Sequence, residues 1–177
     1  MQPALIVLLC VAGAVVYGVL HDQVTARVCV EYFTIGHDPN VIPTDDPTLL
    51  GLGWGILATW WVGLILGLAL AVAARAGRRP KRSARSLVRP LIYLLVIMGF
   101  LAAVSGTAGY MLAKSHAITL PGPLAEAVPP AKHAGFLACF FAHTASYWVG
   151  FVGGGIQIAV VWASRKWLRP EKPRQTR

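Results

Sequence analysis

Pro47 to Gly77, PTLLGLGWGILATWWVGLILGLALAVAARAG, decides the fold, because it runs to Ala74 without a charged side chain and then meets a basic loop. About 20 such residues cross a hydrocarbon core as a helix. Both ends are marked in the sequence. Asp45 and Asp46 offer N-cap oxygens ahead of Pro47, whose missing N–H costs nothing at the first helical position, and Gly77 stands where a C-terminal cap belongs. Inside the stretch, Gly63 and Gly67 form a GxxxG spacing that lets a neighbouring backbone come close.

The rest of the chain repeats that pattern. Of 177 residues, 56% are apolar and only 13% charged, which is outside the range of a soluble globular domain and leaves room for one membrane domain of four spans. The expected architecture is an all-α membrane bundle over residues 1–170, with helices at about 3–20, 47–76, 88–113 and 130–167, an extracytoplasmic cap made by the loop from His21 to Asp46, and a cytoplasmic tail over 171–177. The N-terminal run has no basic residue before it and no small-x-small cleavage site, so it reads as a helix and not as a signal peptide. Cys10, preceded by Val7, Leu8 and Leu9, lacks the small residue of a lipoprotein site and reads as a buried cysteine. Gln23 to Ile35 alternates β-branched and aromatic residues, which suggests a short strand or an irregular excursion, closed by Gly36 and the Asp38-Pro39-Asn40 turn. KSHAITLPGPLAEAVPP, from Lys114 to Pro130, has no helical period and reads as an extended loop.

Charge sets the topology. Arg75, Arg78, Arg79, Lys81, Arg82, Arg85 and Arg89 in the second loop, with Arg165, Lys166, Arg169, Lys172, Arg174 and Arg177 near the C-terminus, make up thirteen of the sixteen basic residues. Only Glu171 among the seven acids accompanies them. The positive-inside rule then expects a multi-pass inner-membrane protein with both termini cytoplasmic. A short basic loop between two spans is topogenic and does not indicate nucleic-acid binding.

Several classes are disfavoured. Cys10, Cys29 and Cys139 form no CxxC, so a thiol-pair oxidoreductase lacks its chemistry. No span carries Asp, Glu, Lys or Arg near its midplane, as a proton or ion transporter requires. The histidines lie at or beyond the bilayer edge, whereas the usual four-helix membrane cytochrome ligates haem inside it.

Polar chemistry is dense in one place, His21 to Asp38, HDQVTARVCVEYFTIGHD. Counting about 20 residues back from Trp162 and Arg165 puts His143 at the outer boundary of helix four, level with His21 and Tyr110. His143, Ser146, Tyr147, Gly150, Gly154 and Gln157 recur at spacings of three and four, giving that helix one polar, small face directed into the bundle. His21, His37 and His143 are the candidate metal ligands, and Asp22 or Glu31 completes the coordination or acts as general base. Imidazole with carboxylate suits zinc, iron or manganese. The alternative is an interfacial hydrogen-bond network, in which Asp22 or Glu31 pairs with Arg27 and the histidines cap helix carbonyls. His116 and His133 read as solvated.

The run YGVLHDQVTARVCVEYFTIGHDP, followed by GWGILATWWVGLILG and AHTASYWVGFVGG, resembles a family of small bacterial four-helix membrane proteins with a Tyr-Gly…His-Asp-Gln-x-Thr…Glu-Tyr-Phe-Thr…His signature. The resemblance spans about Tyr17 to Gly154. It matches at Tyr17, His21, Asp22, Gln23, Thr25, Glu31, Tyr32, His37, His143, Ser146 and Tyr147. It implies an architecture and brings no activity. Two functional readings stand: a metal-binding or metal-dependent catalytic membrane protein, and a non-catalytic accessory or assembly subunit that binds other membrane proteins through small-residue helix faces. The lipid bilayer is the partner common to both.

Overall fold

The computed structural model describes residues 1–167, and the expected tail over 171–177 lies outside them. The described residues are helical with no strand. Four stretches are long and apolar enough to cross a membrane: Gln2–Val28, Pro47–Arg75, Arg85–Lys114 and Pro130–Trp167.

Helix α1 (Gln2–Val28) runs about two turns past the expected end at Leu20, so the strand or irregular excursion expected from Gln23 is a helical continuation. The β-branched alternation was the wrong signal, because tertiary and side-chain bonds hold this segment in a helix. Thr25 Oγ1 donates to the His21 carbonyl at 3.2 Å, and Arg27 donates to the Gln23 carbonyl at 2.8 Å and to Thr48 Oγ1 at 3.1 Å. The chain then turns into the single-turn helix α2 (Glu31–Thr34), which buries Tyr32 and Phe33 over the helix ends.

The second span is two helices, α3 (Pro47–Leu57) and α4 (Trp60–Arg75), where one unbroken helix was expected. Asp46 caps α3 as the sequence indicated, its Oδ1 accepting from the Thr48 and Leu49 amides at 2.9 and 2.8 Å. The break falls at Ala58 and Thr59. Thr59 Oγ1 donates back to the Gly55 carbonyl at 2.5 Å, a local bond known to bend helices. Gly51, Gly55, Gly63 and Gly67 lie four residues apart on either side of the break and all face α1. A Cβ on Gly55 would stand 2.5 Å from the Val19 Cα, and one on Gly63 2.7 Å from the Cys10 carbonyl oxygen. The backbones are therefore in direct contact. Gly77, with φ of +73°, turns the chain just past α4.

Helix α5 (Arg85–Lys114) starts before Pro90, which sits inside it, and not at about residue 88. The segment expected to be an extended loop contains a short helix, α6 (Gly122–Ala127), and anchors itself by burying Leu120 and Val128. Helix α7 (His133–Ser164) follows a 3-10 turn at Pro130–Lys132. It pairs with α5 through Gly109, where a Cβ would lie 2.8 Å from Phe141 Cγ, and through Ser105 Oγ donating to the Phe141 carbonyl at 3.1 Å.

Two tight pairs result, α1 with α3 and α4, and α5 with α7. One core sits under α2 and includes Cys29, Leu50, Phe136 and Cys139, and a second sits at the basic end around Ile6, Leu70 and Val161. Large apolar side chains such as Leu8, Val96, Phe100 and Trp148 remain exposed between them, a belt far larger than water tolerates.

Candidate metal centre where the two helix pairs meet

The seam between the pairs holds the buried polar groups. His21 and Asp22 are neighbours on α1, about 100° apart around the axis, and so do not share a face. Both nonetheless reach His143, because α7 packs into the angle between them. The His143 Nδ1 edge lies 3.3 Å from His21 Nε2, and its Nε2 edge lies 3.1 Å from Asp22 Oδ1. Asp22 is buried and the two rings are nearly so. One ligating atom from each of the three residues falls within 4.8 Å of the others, the size of a metal coordination sphere before it closes on an ion.

The proton positions are constrained by partners. His143 Nδ1 also lies 2.9 Å from the carbonyl of Cys139, one turn back on α7, and a carbonyl only accepts. Nδ1 therefore carries the hydrogen. In the neutral ring that leaves a lone pair on Nε2 facing the Asp22 carboxylate, acceptor against acceptor. A shared hydrogen or a cation must lie between them. With a cation, the Nδ1–H bond to Cys139 is the outer-shell contact that fixes a ligating histidine's tautomer and orientation.

A second layer lies one turn further into the bundle. Tyr17 Oη and Ser146 Oγ are 2.7 Å apart, and the Tyr17 ring stacks on His21 with centroids 5.7 Å apart. Ser146 and His143 thus both bond across the seam, as their shared face on helix four implied. From above, the Tyr32 ring lies over His143 at 4.6 Å, nearly parallel. Whether the loop closes over the helix ends was not legible in the sequence; in the structure this aromatic side chain covers the cluster.

The other candidates are placed elsewhere. His37 donates from Nδ1 to the Tyr32 carbonyl at 2.9 Å and packs on Trp54 at 4.6 Å, with Tyr32 between it and His143. It lines the same cavity as the cluster but is outside the group of three. Glu31 faces Lys132 at 3.4 Å and accepts from the Cys29 thiol at 3.3 Å. Burial works to raise its carboxyl, yet hydrogen bonds from the backbone and Cys29 together with the Lys132 ammonium leave it below the ordinary range. Burial, reinforced by Glu31, pushes the Cys29 thiol up to about 11, so it is no thiolate nucleophile at neutral pH. The expected pairing of Arg27 with Asp22 or Glu31 does not form; its guanidinium goes to Gln23 and Thr48. His133, expected to be solvated, is half-buried and bonds from Nε2 to the Val128 carbonyl at 2.8 Å, while His116 is exposed. Tyr110 is exposed and lines a neighbouring cavity with Tyr17 and His21.

A cavity of about 280 Å³ runs from the cluster down between α1, α4, α5 and α7. His21, Asp22 and His143 line its polar end, and its remaining wall is mostly Leu, Ile, Val, Ala and Gly. A structural role that sequence reading did not foresee lies at the opposite end. Arg165, read as a topogenic charge, is fully buried and donates to the carbonyls of Ala73, Ala76, Arg79 and Pro80 at 2.7–2.9 Å. It closes the C-terminus of α4, where free carbonyls and the helix dipole both call for a cation.

No known protein family, curated protein or solved structure matches the chain. The site is therefore read on its geometry alone.

Proposed function

We propose that this chain is an integral membrane protein that binds one divalent ion, zinc, iron or manganese, through His21, Asp22 and His143, and uses it on a substrate at the outer face of the membrane. The observation that carries the reading is the convergence of two imidazoles and one carboxylate from two helices, within 4.8 Å, at the end of a cavity. Two histidines and a carboxylate form a donor set suited to these metals, with coordination positions left over for substrate or water. An ion held there supplies Lewis acidity to a carbonyl or phosphoryl oxygen. Asp22 is the acidic ligand in this reading, and His37 lines the path to it. The excess of basic residues in the loop after α4 and near the C-terminus supports, by the positive-inside rule, a topology with both termini cytoplasmic and the site outside.

The accessory-subunit reading loses part of its support, because Gly63 and Gly67 are occupied by α1 of the same chain and leave no free face for a partner there. A hydrogen shared directly between His143 and Asp22 is the competing account of their 3.1 Å contact. The test is elemental mass spectrometry on protein purified in mild detergent without chelators, beside His21→Ala, Asp22→Asn and His143→Ala. The expected result is near one equivalent of metal in the parent and a loss in all three variants. A metal-free parent that neither takes up nor is stabilised by added zinc, iron or manganese would refute the reading and leave a hydrogen-bonded His143–Asp22 pair.

A further inference from the structure

We infer that the cavity beneath the cluster takes a single hydrocarbon chain of an amphiphile, entering sideways from the bilayer between α4 and α7, so that the polar head of the same molecule lies at His21, Asp22 and His143. The inference rests on the metal reading only for what the head meets, and not for the tail.

Three observations point to a hydrocarbon chain. The first is the chemistry of the wall. The polar side chains that line the cavity below the cluster are few: Tyr17 and Ser146 bond to each other, Thr59 bonds to the Gly55 carbonyl, and Tyr147 and Trp61 stand at its exposed edge. The rest of the wall is mostly apolar, and such a space does not hold water well. The second is shape. The width exists because Gly150 and Gly154 replace side chains on the cavity face of α7. A Cβ on them would already stand 3.3 Å from the Met98 Cε and 3.1 Å from the Leu66 Cδ1. At about 280 Å³ the space suits one flexible chain and is too narrow for a helix, which is about 10–12 Å across. The third is access. Trp61 and Ile65 on α4 and Phe151 on α7 line the cavity and are also 42%, 60% and 63% exposed on the outer surface of the bundle. These side chains belong to the apolar belt, so the cavity wall is continuous with the surface that lipid tails cover.

The depth agrees with an amphiphile. The polar end is one helical turn above the Tyr17–Ser146 pair and lies under the α2 cap, where His37 from the following loop lines the same cavity. A tail in the apolar part brings the first polar atoms of its head to the histidines without unburying either portion.

The experiment uses the full chain in vesicles of phosphatidylethanolamine and phosphatidylglycerol that include a phosphatidylglycerol with a photoactivatable diazirine partway along one acyl chain. After irradiation, labelled peptides are mapped by mass spectrometry and metal content is measured on the same samples. Labelling is expected to concentrate on Val62–Leu66 and Gly150–Gly154. Gly154→Leu is expected to lower it by about tenfold, since the added side chain fills the space the tail would take, while metal content stays unchanged. Gly150→Leu serves the same purpose if Gly154→Leu does not fold. His143→Ala is expected to lose metal and keep the tail labelling. Labelling spread evenly over the belt, at Val96 and Phe100 as much as in the cavity, and indifferent to both leucine variants, would overturn the inference. Concentrated labelling in a protein without metal would uphold the tail site and remove only the metal reading.

Discussion

His143 lies on α7 and Arg165 just past its end, and each answers a shortage of charge complementarity at one end of the bundle. At Arg165 the answer is complete in the chain itself. One guanidinium meets four carbonyls with a planar, forked set of donors, and Trp162 lies against its face with the guanidinium carbon 5.4 Å from the ring centre. Arg165→Met removes every one of these donors and leaves carbonyls of α4 without partners, so thermal or denaturant unfolding in detergent should show a loss of about 3 kcal/mol. Arg165→Lys should recover less than half of that, since an ammonium cannot reach four acceptors spread over a turn. An unchanged unfolding midpoint in Arg165→Met would show that water replaces the guanidinium at no cost. At His143 the answer is incomplete, because its second ring edge faces a carboxylate. That asymmetry makes the upper cluster a candidate site and the lower one a structural cap.

Among the elements, α1 is the one on which the site depends, and its position is set by glycines on α3 and α4. Gly18 and Gly55 mark the closest approach: a Cβ on Gly18 would lie 2.4 Å from the Gly55 carbonyl oxygen. Gly55→Ala puts a methyl group against backbone that cannot rotate away. It should destabilise the protein by about 2 kcal/mol and, by moving α1, lower metal occupancy without touching a ligand. Gly155→Ala is the control, since its added Cβ meets nothing within 4 Å. It should stay within about 0.5 kcal/mol of the parent and keep its metal. Equal behaviour of the two variants, read by melting and elemental analysis, would mean that the α1–α3 contact does not position the cluster. The bend at Thr59 belongs to the same device, because its side chain also presses on Gly18.

For the whole molecule, the arrangement is two tightly packed pairs joined along a looser seam, with polar bonds across it and cavities beside it. Tyr17 and His21 border both the 280 Å³ cavity and a second one of about 610 Å³ against α5. Four crossings would put both termini on one side, and the positive-inside rule would make that side the cytoplasm. A fluorescent protein fused to either terminus should therefore fluoresce, and alkaline phosphatase fused after Asn40 should be active. The reverse pattern would place the site in the cytoplasm and exclude an external substrate. The exposed apolar belt between the two cores gives the same molecule its expected solvent, the hydrocarbon of a bilayer.

The sequence alone determined what depends on composition and local chemistry. Long uncharged stretches specify four apolar helices whatever their neighbours, Asp46 and Pro47 start one of them through bonds made within a single turn, and the spacing of His143, Ser146 and Gly150 places them on one face by helix geometry. Tertiary structure decided everything that depends on a partner far along the chain. Val24 and Val28 alternate like a strand, yet this segment is helical because Thr48 and Gly51 receive Gln23 and Arg27 across the interface with α3. Glu31 and His37 stand close to His21 in sequence, yet Lys132 and Trp54 hold them away from the cluster. Arg165 has the composition of a topogenic charge, yet it is a cap because the loop after α4 folds its carbonyls around it. In each case the competing states differ by a hydrogen bond or a packed ring, and that difference exists only once the distant partner is in place.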